Sequence, residues 1–154
     1  MATTIRKASQ KDMPALQEML DLLNSERRHL WSQKNKIFHD RSKQLSKLRK
    51  DDLEKNIFFV AEDNGNIAGF ALGFVTSRKG YKLSKLGYLD ALYVKPAFRA
   101  KGLAKKLTDA ILKNFKSKGC DHMTTHTDAE NKVAQKWYEG AGMSHVTVEY
   151  WKKL

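Results

Sequence analysis

The stretch Val94-Lys95-Pro96-Ala97-Phe98-Arg99-Ala100-Lys101-Gly102-Leu103-Ala104-Lys105-Lys106-Leu107 runs from the end of an apolar, strand-like segment into the start of a helix-like one. Such a junction suits anions. The first-turn N–H groups of a helix have no intrahelical partners and carry the positive end of its dipole, and small residues such as Gly102 and Ala104 let a diphosphate approach the backbone. Arg99, Lys101, Lys105 and Lys106 add cationic side chains. The spacing fits neither G-x-x-x-x-G-K-[ST] nor G-x-G-x-x-G, which argues against mononucleotide phosphate loops and dinucleotide turns. Taken alone, the segment also fits an ordinary basic helix start. Asp90 stands four residues before Val94 in the apolar run LGYLDALYV. A carboxylate there costs free energy unless solvated or partnered, which points to a cleft or to an ion pair.

About thirty residues further on comes Asn131-x-x-Ala134-x-x-x-Tyr138-x-x-x-Gly142-Met143. Together the two segments resemble the GNAT superfamily of N-acetyltransferases. Arg99, Gly102 and Ala104 match its R-x-x-G-x-A signature, and Asn131, Ala134, Tyr138 and Gly142 match its N-x-x-A-x-x-x-Y-x-x-x-G helix and turn. Either motif is weak alone, but the ordered pair in a strand-helix context is specific. The resemblance implies acetyl-coenzyme A as cosubstrate, held where strand 86–94 and strand 121–127 splay apart. It places the pantetheine arm along Leu92-Tyr93-Val94, paired with backbone groups of Leu92 and Val94 as an added strand would be. The pyrophosphate then rests on the N–H groups of Ala100, Lys101, Gly102, Leu103, Ala104 and Lys105. Asn131, on the helix that also carries Ala134, bonds the pantetheine arm, and Tyr138 directs its hydroxyl at the sulfur.

The chemistry implied is direct transfer: a primary amine attacks the thioester carbonyl, strand N–H groups stabilise the oxyanion, and an acid protonates the departing thiolate. Tyrosine suits the last role, since a pKa near ~10 keeps it protonated at neutral pH while a thiolate of about 8.5 to 10 can still take its proton. The competing reading of Tyr138 is a core aromatic beside Trp137. An alkylamine of pKa ~10.4 must also lose a proton. Asp90, at a position resembling the acidic residue that many family members use, is the first candidate base; its competing role is an ion pair with a neighbouring cation. Strand alternation puts Tyr88 on the face of Asp90, where it can line the acceptor pocket. His126 is a weaker alternative base. His122 and His126 lie roughly 13 Å apart if their segment is a strand, so no metal site is expected. Cys120 has no partner base in the pattern, so a covalent acetyl-enzyme is not expected.

The elements that must position these groups follow from periodicity. Residues 3–8 can start a sheet, Ser9 and Asp12 resemble a capping box, and Met13, Leu16, Leu20 and Leu23 mark a helix over 10–23. Leu30, Trp31, Phe38, Leu45 and Leu48 suggest a second, interrupted helix. Runs 57–62 and 67–76 flank the turn Asp63-Asn64-Gly65-Asn66 and predict an antiparallel hairpin. A long strand at 86–94 ends at Pro96. Leu103, Leu107, Ile111 and Phe115 predict a helix over 102–118, closed by Gly119. A strand at 121–127, a helix at 131–139 with Asn131 at its N-cap, and a last strand at 144–151 complete the chain. The expected fold is α+β in three layers, a mixed, largely antiparallel, splayed sheet flanked by helices, with 1–154 one domain.

Composition narrows the alternatives. At 154 residues the chain suits one compact domain. It shows neither the roughly 20 apolar residues of a membrane span nor the apolar core of a signal peptide, which predicts a soluble, cytoplasmic protein. One cysteine excludes a disulfide scaffold. A net charge of +12 favours an anionic partner. Ten Lys or Arg against five Asp or Glu from Glu26 to Lys55 read as a solvated helical face. The rival to an acetyltransferase is a binding protein, either a non-catalytic acyl-coenzyme A domain or a nucleic-acid binder. The latter is disfavoured because the cations are scattered and no helix-turn-helix, zinc-finger or RNA-recognition pattern appears. The amine acceptor is not specified, and a homodimer is left open. The basic acceptor-side segments favour an amine that also carries a carboxylate or phosphate over a polycation.

Overall fold

The computed structural model describes residues 3–35, 47–77, 79–80, 82 and 85–154, without the Gln33 side chain. Its centre is the hairpin of β2 (Ile57–Asp63) and β3 (Asn66–Thr76). The tight turn needs two left-handed residues, and Asn64 and Gly65 supply them with φ of 50° and 79°. β4 (Leu86–Val94) lies antiparallel to β3, and β1 (Thr4–Lys7) antiparallel to β2. β5 (His122–Thr124) runs parallel to β4, so the described sheet has the order β1-β2-β3-β4-β5.

Helices cover both faces, and for that reason the central strands read as nearly continuous apolar runs. On one face α1 (Met13–Glu26) sets Leu16, Met19, Leu20 and Leu23 against Phe58, Val60, Phe70, Leu72, Ala91 and Tyr93. On the other, α4 (Leu103–Ser117) sets Leu103, Leu107, Ile111 and Phe115 against Ala61, Ala71, Leu89 and Val94. Phe115 lies so close to the sheet that a Cβ on Gly87 would strike its ring, and one on Gly73 would come within 2.7 Å of it. Among the described residues, the short helices α2 (Trp31–Lys34) and α3 (Asp52–Lys55) lie between α1 and β2, and α5 (Lys132–Gly140) follows β5.

The start of the chain is fastened by charge. Asp12 accepts two bonds of 2.8 Å from the Arg6 guanidinium, and the Ser9 N–H at 2.7 Å. The Arg6 bonds hold the Asp12 carboxyl at a pKa of about 2, against the desolvation that would raise it. Arg6 also reaches Glu62 on β2 at 2.7 Å, tying the first helix to the sheet.

The predicted elements at 3–8, 10–23, 57–62, 67–76, 86–94, 102–118 and 131–139 are present within a few residues. Two expectations change, and one falls partly outside the described residues. Of the interrupted helix expected after Leu30, the described residues hold the turn α2, and the part at Phe38 and Leu45 lies outside them. β5 stops at Thr124 rather than continuing to 127. The run 144–151 is not a strand: it is exposed and joins no sheet. Alternation makes a segment fit for a strand, but only a neighbouring edge makes it one.

Candidate active site

β4 and β5 pair over only three positions, Leu86 with His122, Gly87 with Met123, and Tyr88 with Thr124. The Thr125 hydroxyl then donates to the Leu89 carbonyl at 2.8 Å, and the strands part. From Asp90 to Val94, β4 keeps β3 on one side and, among the described residues, has no strand on the other. Such a half-paired strand leaves room for an extended ligand arm to add along its edge. Leu92, Tyr93 and Val94, the expected contacts of that arm, lie in this part.

Asp90 stands at an irregularity of the same strand. Consecutive residues Leu72 and Gly73 of β3 face Ala91 and Leu89 of β4, so Asp90 is the extra residue of a β-bulge. Before the bulge, Gly87 and Leu89 face α4; after it, Ala91 and Tyr93 face α1. A bulge bends its strand and re-aims its side chain, and it sits where the sheet opens. Asp90 is half-buried. Nearby, the Tyr88 ring stacks on Phe74 at 4.9 Å and on His126 at 5.6 Å, and its hydroxyl lies 3.0 Å from His126 Nδ1.

Beyond Val94 the chain passes through a short 3-10 turn, Pro96–Phe98, into the loop before α4. Ala100 and Gly102 are both left-handed, with φ of 60° and 73°. The conformation is strained for the alanine and natural for the glycine. Among the described residues, the N–H groups of Ala100, Lys101, Gly102, Leu103, Ala104 and Lys105 donate to no protein acceptor; the first helical bond here runs from Lys106 to Gly102. A Cβ on Gly102 would meet nothing within 4 Å, so the space before these amides is open. Alternating left-handed residues beside a helix N-terminus form a concave nest of N–H donors suited to a phosphate.

Arg99 does not face that nest. Its Nε donates to the Val94 carbonyl at 2.8 Å, and its Nη2 reaches both Glu26 oxygens at 3.0 and 3.2 Å. Its guanidinium also lies 5.5 Å from the Tyr93 ring centroid, and the Tyr93 hydroxyl donates to Glu26 as well. Burial, and then the Glu26 carboxylate, push the Tyr93 pKa up, so that hydroxyl stays protonated. Arg99 therefore braces the loop against β4 and the end of α1.

α5 carries the second motif. Asn131 is its N-cap, as expected, and its Oδ1 accepts the Ala134 N–H at 3.2 Å, which leaves the amide NH₂ as the donor for a ligand. Ala134 is half-buried. Tyr138 packs against the α4-side core with its ring edge-on to Trp137. The loop before α5 reaches across the molecule: Asp128 accepts from the Ser32 hydroxyl, and Glu130 accepts the Trp31 N–H at 3.1 Å.

Several of these groups escape sequence reasoning. Glu26, Phe74 and Asp128 belong to no motif, and their partners lie 73, 14 and 96 positions away. Ala100 is reached through the resemblance, whereas its left-handed φ of 60° has no signal in the sequence.

The chain matches the family model described as "Acetyltransferase (GNAT) family" over residues 16–143, most of its length. It is 33% identical over 86 residues to an aminoglycoside N(6')-acetyltransferase type 1 of Salmonella typhimurium, a match that covers 54% of this chain and 59% of that protein. The curated relative is therefore matched over little more than half its length. Among solved structures, an aminoglycoside N-acetyltransferase in complex with CoA aligns over 98% of this chain and 99% of its own, with a TM-score of 0.68 and 23% identity. A mutant protein from Bacillus halodurans aligns over 98% and 99% with a TM-score of 0.80 and 18% identity. At these identities the structures speak for the fold, and the family match covers both motifs and the parted strands: this chain belongs to the GNAT acetyltransferase family.

Proposed function

We propose that the protein is an acetyl-coenzyme A-dependent N-acetyltransferase that moves the acetyl group directly to a primary amine. The observation that carries the reading is the run of six N–H groups from Ala100 to Lys105 that meet no acceptor among the described residues, placed beside the β4 edge that no described strand covers. The reading gives Asp90 at the bulge and Tyr138 on α5 catalytic roles. In this reading residues 1–154 form one catalytic domain that acts in the cytoplasm. Among the described residues no helix is long and apolar enough to cross a membrane.

When bound, acetyl-coenzyme A supplies an activated acyl carbon and a thiolate leaving group. The nest 100–105 holds its diphosphate, and Lys101 and Lys105 add charge at the rim. Backbone groups of Leu92 and Val94, together with the Asn131 amide, align the arm so that amine and acyl carbon meet at a high effective concentration. The β4 N–H groups donate to the carbonyl oxygen. Asp90, directly or through water, takes a proton from the amine, and the Tyr138 hydroxyl gives one to the sulfur. Phe74, Tyr88 and His126 form one wall on the acceptor side.

The relative from Salmonella typhimurium is named for aminoglycosides, which makes amino sugars one arm of the substrate test and amines bearing a carboxylate or phosphate the other. The experiment is calorimetric titration with acetyl-coenzyme A, followed by thiol-release assays over both panels. Binding and amine-dependent thiol release are expected. Binding without release for any amine class would leave a sensor of acyl-coenzyme A, and no binding would overturn the reading.

A further inference from the structure

We propose that Glu26 is a positioning residue for the cofactor: through Arg99 it holds Ala100 in its left-handed conformation and so keeps the phosphate nest formed before a ligand arrives. The inference rests on the reading of residues 100–105 as the diphosphate site. Glu26 is the last residue of α1, and a carboxylate at a helix C-terminus meets the negative end of the dipole, so the helix itself gains nothing from it. Its partners lie elsewhere. Arg99 Nη2 reaches both its oxygens, at 3.0 and 3.2 Å, and the hydroxyl of the buried Tyr93 donates to Oε1 at 3.1 Å.

Arg99 is thereby tied to both the sheet and α1. Its Nε holds the Val94 carbonyl at 2.8 Å, and its guanidinium lies 5.5 Å from the Tyr93 ring centroid. The Val94 tie reaches the cofactor edge itself. Lys95 donates to the Ala68 carbonyl on β3, so Val94 turns its own N–H and C=O to the opposite edge of β4. Arg99 takes that carbonyl and leaves the Val94 N–H for the arm. The next residue carries strain: a left-handed alanine is disfavoured roughly 5- to 30-fold, because its Cβ crowds the backbone. Ala100 is exposed and its N–H meets no acceptor among the described residues, so neither packing nor its own amide offsets that bias. The offset comes from its neighbour, which Glu26 and Val94 hold in place. An ion pair with both side chains near half exposed adds little to the stability of the whole fold. Against a bias as small as the one at Ala100, the same modest interaction decides whether the nest is populated.

The test titrates coenzyme A by calorimetry into the parent, Glu26→Gln, Ala100→Gly and the double variant. Glutamine keeps the shape and an oxygen for the Tyr93 hydroxyl but loses the charge that holds Arg99. Glu26→Gln is expected to bind coenzyme A about 5-fold more weakly than the parent. The sign is decisive, because loss of a negative charge beside an anion site would by electrostatics alone tighten binding, as would an Arg99 released to turn toward the phosphates. Equal or tighter binding overturns the proposal. Glycine carries no left-handed penalty, so in the Ala100→Gly background the Glu26→Gln effect is expected to shrink below about 2-fold. The same loss in both backgrounds would make Glu26 a plain support of the scaffold and overturn the proposal too. Circular dichroism spectra are expected to coincide, and a Glu26→Gln chain that had lost helix would likewise place Glu26 in the scaffold and overturn it. A parent that binds no coenzyme A would remove the reading of the nest and this inference with it, whereas a binding parent with an unaffected variant removes the inference alone.

Discussion

Tyr138 is held by packing on its ring, against the α4-side core and Trp137, and deletion of the hydroxyl leaves that packing in place. Tyr138→Phe is therefore expected to lower kcat by about 10²-fold or more, the usual share of a general acid, with the coenzyme A dissociation constant nearly unchanged. Thiol-release kinetics beside calorimetry read the two quantities; an unaltered kcat with chemistry rate-limiting would return the residue to a packing role. Asp90 calls for a pH profile, since Asp90→Asn keeps the side chain's shape and removes its proton-accepting capacity. The variant is expected to lose the part of the acidic limb of kcat/KM that does not move with the pKa of the acceptor amine. Repeating the profile with amines of different basicity separates the two contributions. If limb and plateau stay as in the parent, the base lies elsewhere, with His126, 3.0 Å from the Tyr88 hydroxyl, next in line.

One loop and one helix start make the phosphate site. Its donors are backbone groups, so their aim depends on the left-handed residues Ala100 and Gly102 and on the Arg99 brace to Val94 and Glu26. Gly102→Asp puts a negative charge into the open space before six N–H donors and forces a side chain onto a φ of 73°. Calorimetry is expected to show at least ~10-fold weaker acetyl-coenzyme A binding, while the stability read by thermal unfolding falls only by the roughly 1 kcal/mol of a left-handed side chain, since the added Cβ meets no atom. Affinity equal to the parent's would remove the nest from the site. Arg99 stands in the R-x-x-G-x-A motif, yet its guanidinium points at α1. The distinction is physical: a basic side chain goes to whichever carboxylate the fold brings near, and Glu26 is 73 positions upstream.

At the scale of the whole molecule, stability leans on the contact between the N-terminal helix and the sheet through Asp12, Arg6 and Glu62. The Asp12 carboxyl falls from an ordinary 3.8 to about 2 in the folded protein. Because the folded pKa is depressed, the stabilisation of ~2 kcal/mol is fully present above about pH 4 and is lost as pH falls from there toward 2. Urea unfolding across this window is expected to show that slope in the parent and a flatter one in Asp12→Asn. The variant should be ~2 kcal/mol less stable at pH 7, with the two proteins converging near pH 2. Equal slopes would place the acid sensitivity on other carboxylates.

Whatever neighbouring residues decide among themselves was legible in the sequence. The Asn64-Gly65 turn, the α1 and α4 stripes, the Asn131 cap and the unsatisfied amides ahead of α4 follow from local spacing, since first-turn N–H groups lack partners in any helix and a 3.6-residue period buries one face in any context. The two motifs sit on those elements and could be found the same way. Tertiary structure alone decided the rest. The bulge at Asp90 exists only in the register of β3 against β4, the Phe74–Tyr88–His126 stack only where three segments meet, and the Arg99–Glu26 brace only once α1 lies over the sheet. Residues 144–151 make the same point in reverse. Their alternation meets every local requirement of a strand, yet strand structure consists of hydrogen bonds to a neighbour, and which neighbour is at hand is settled by the tertiary fold and not by the segment's own residues.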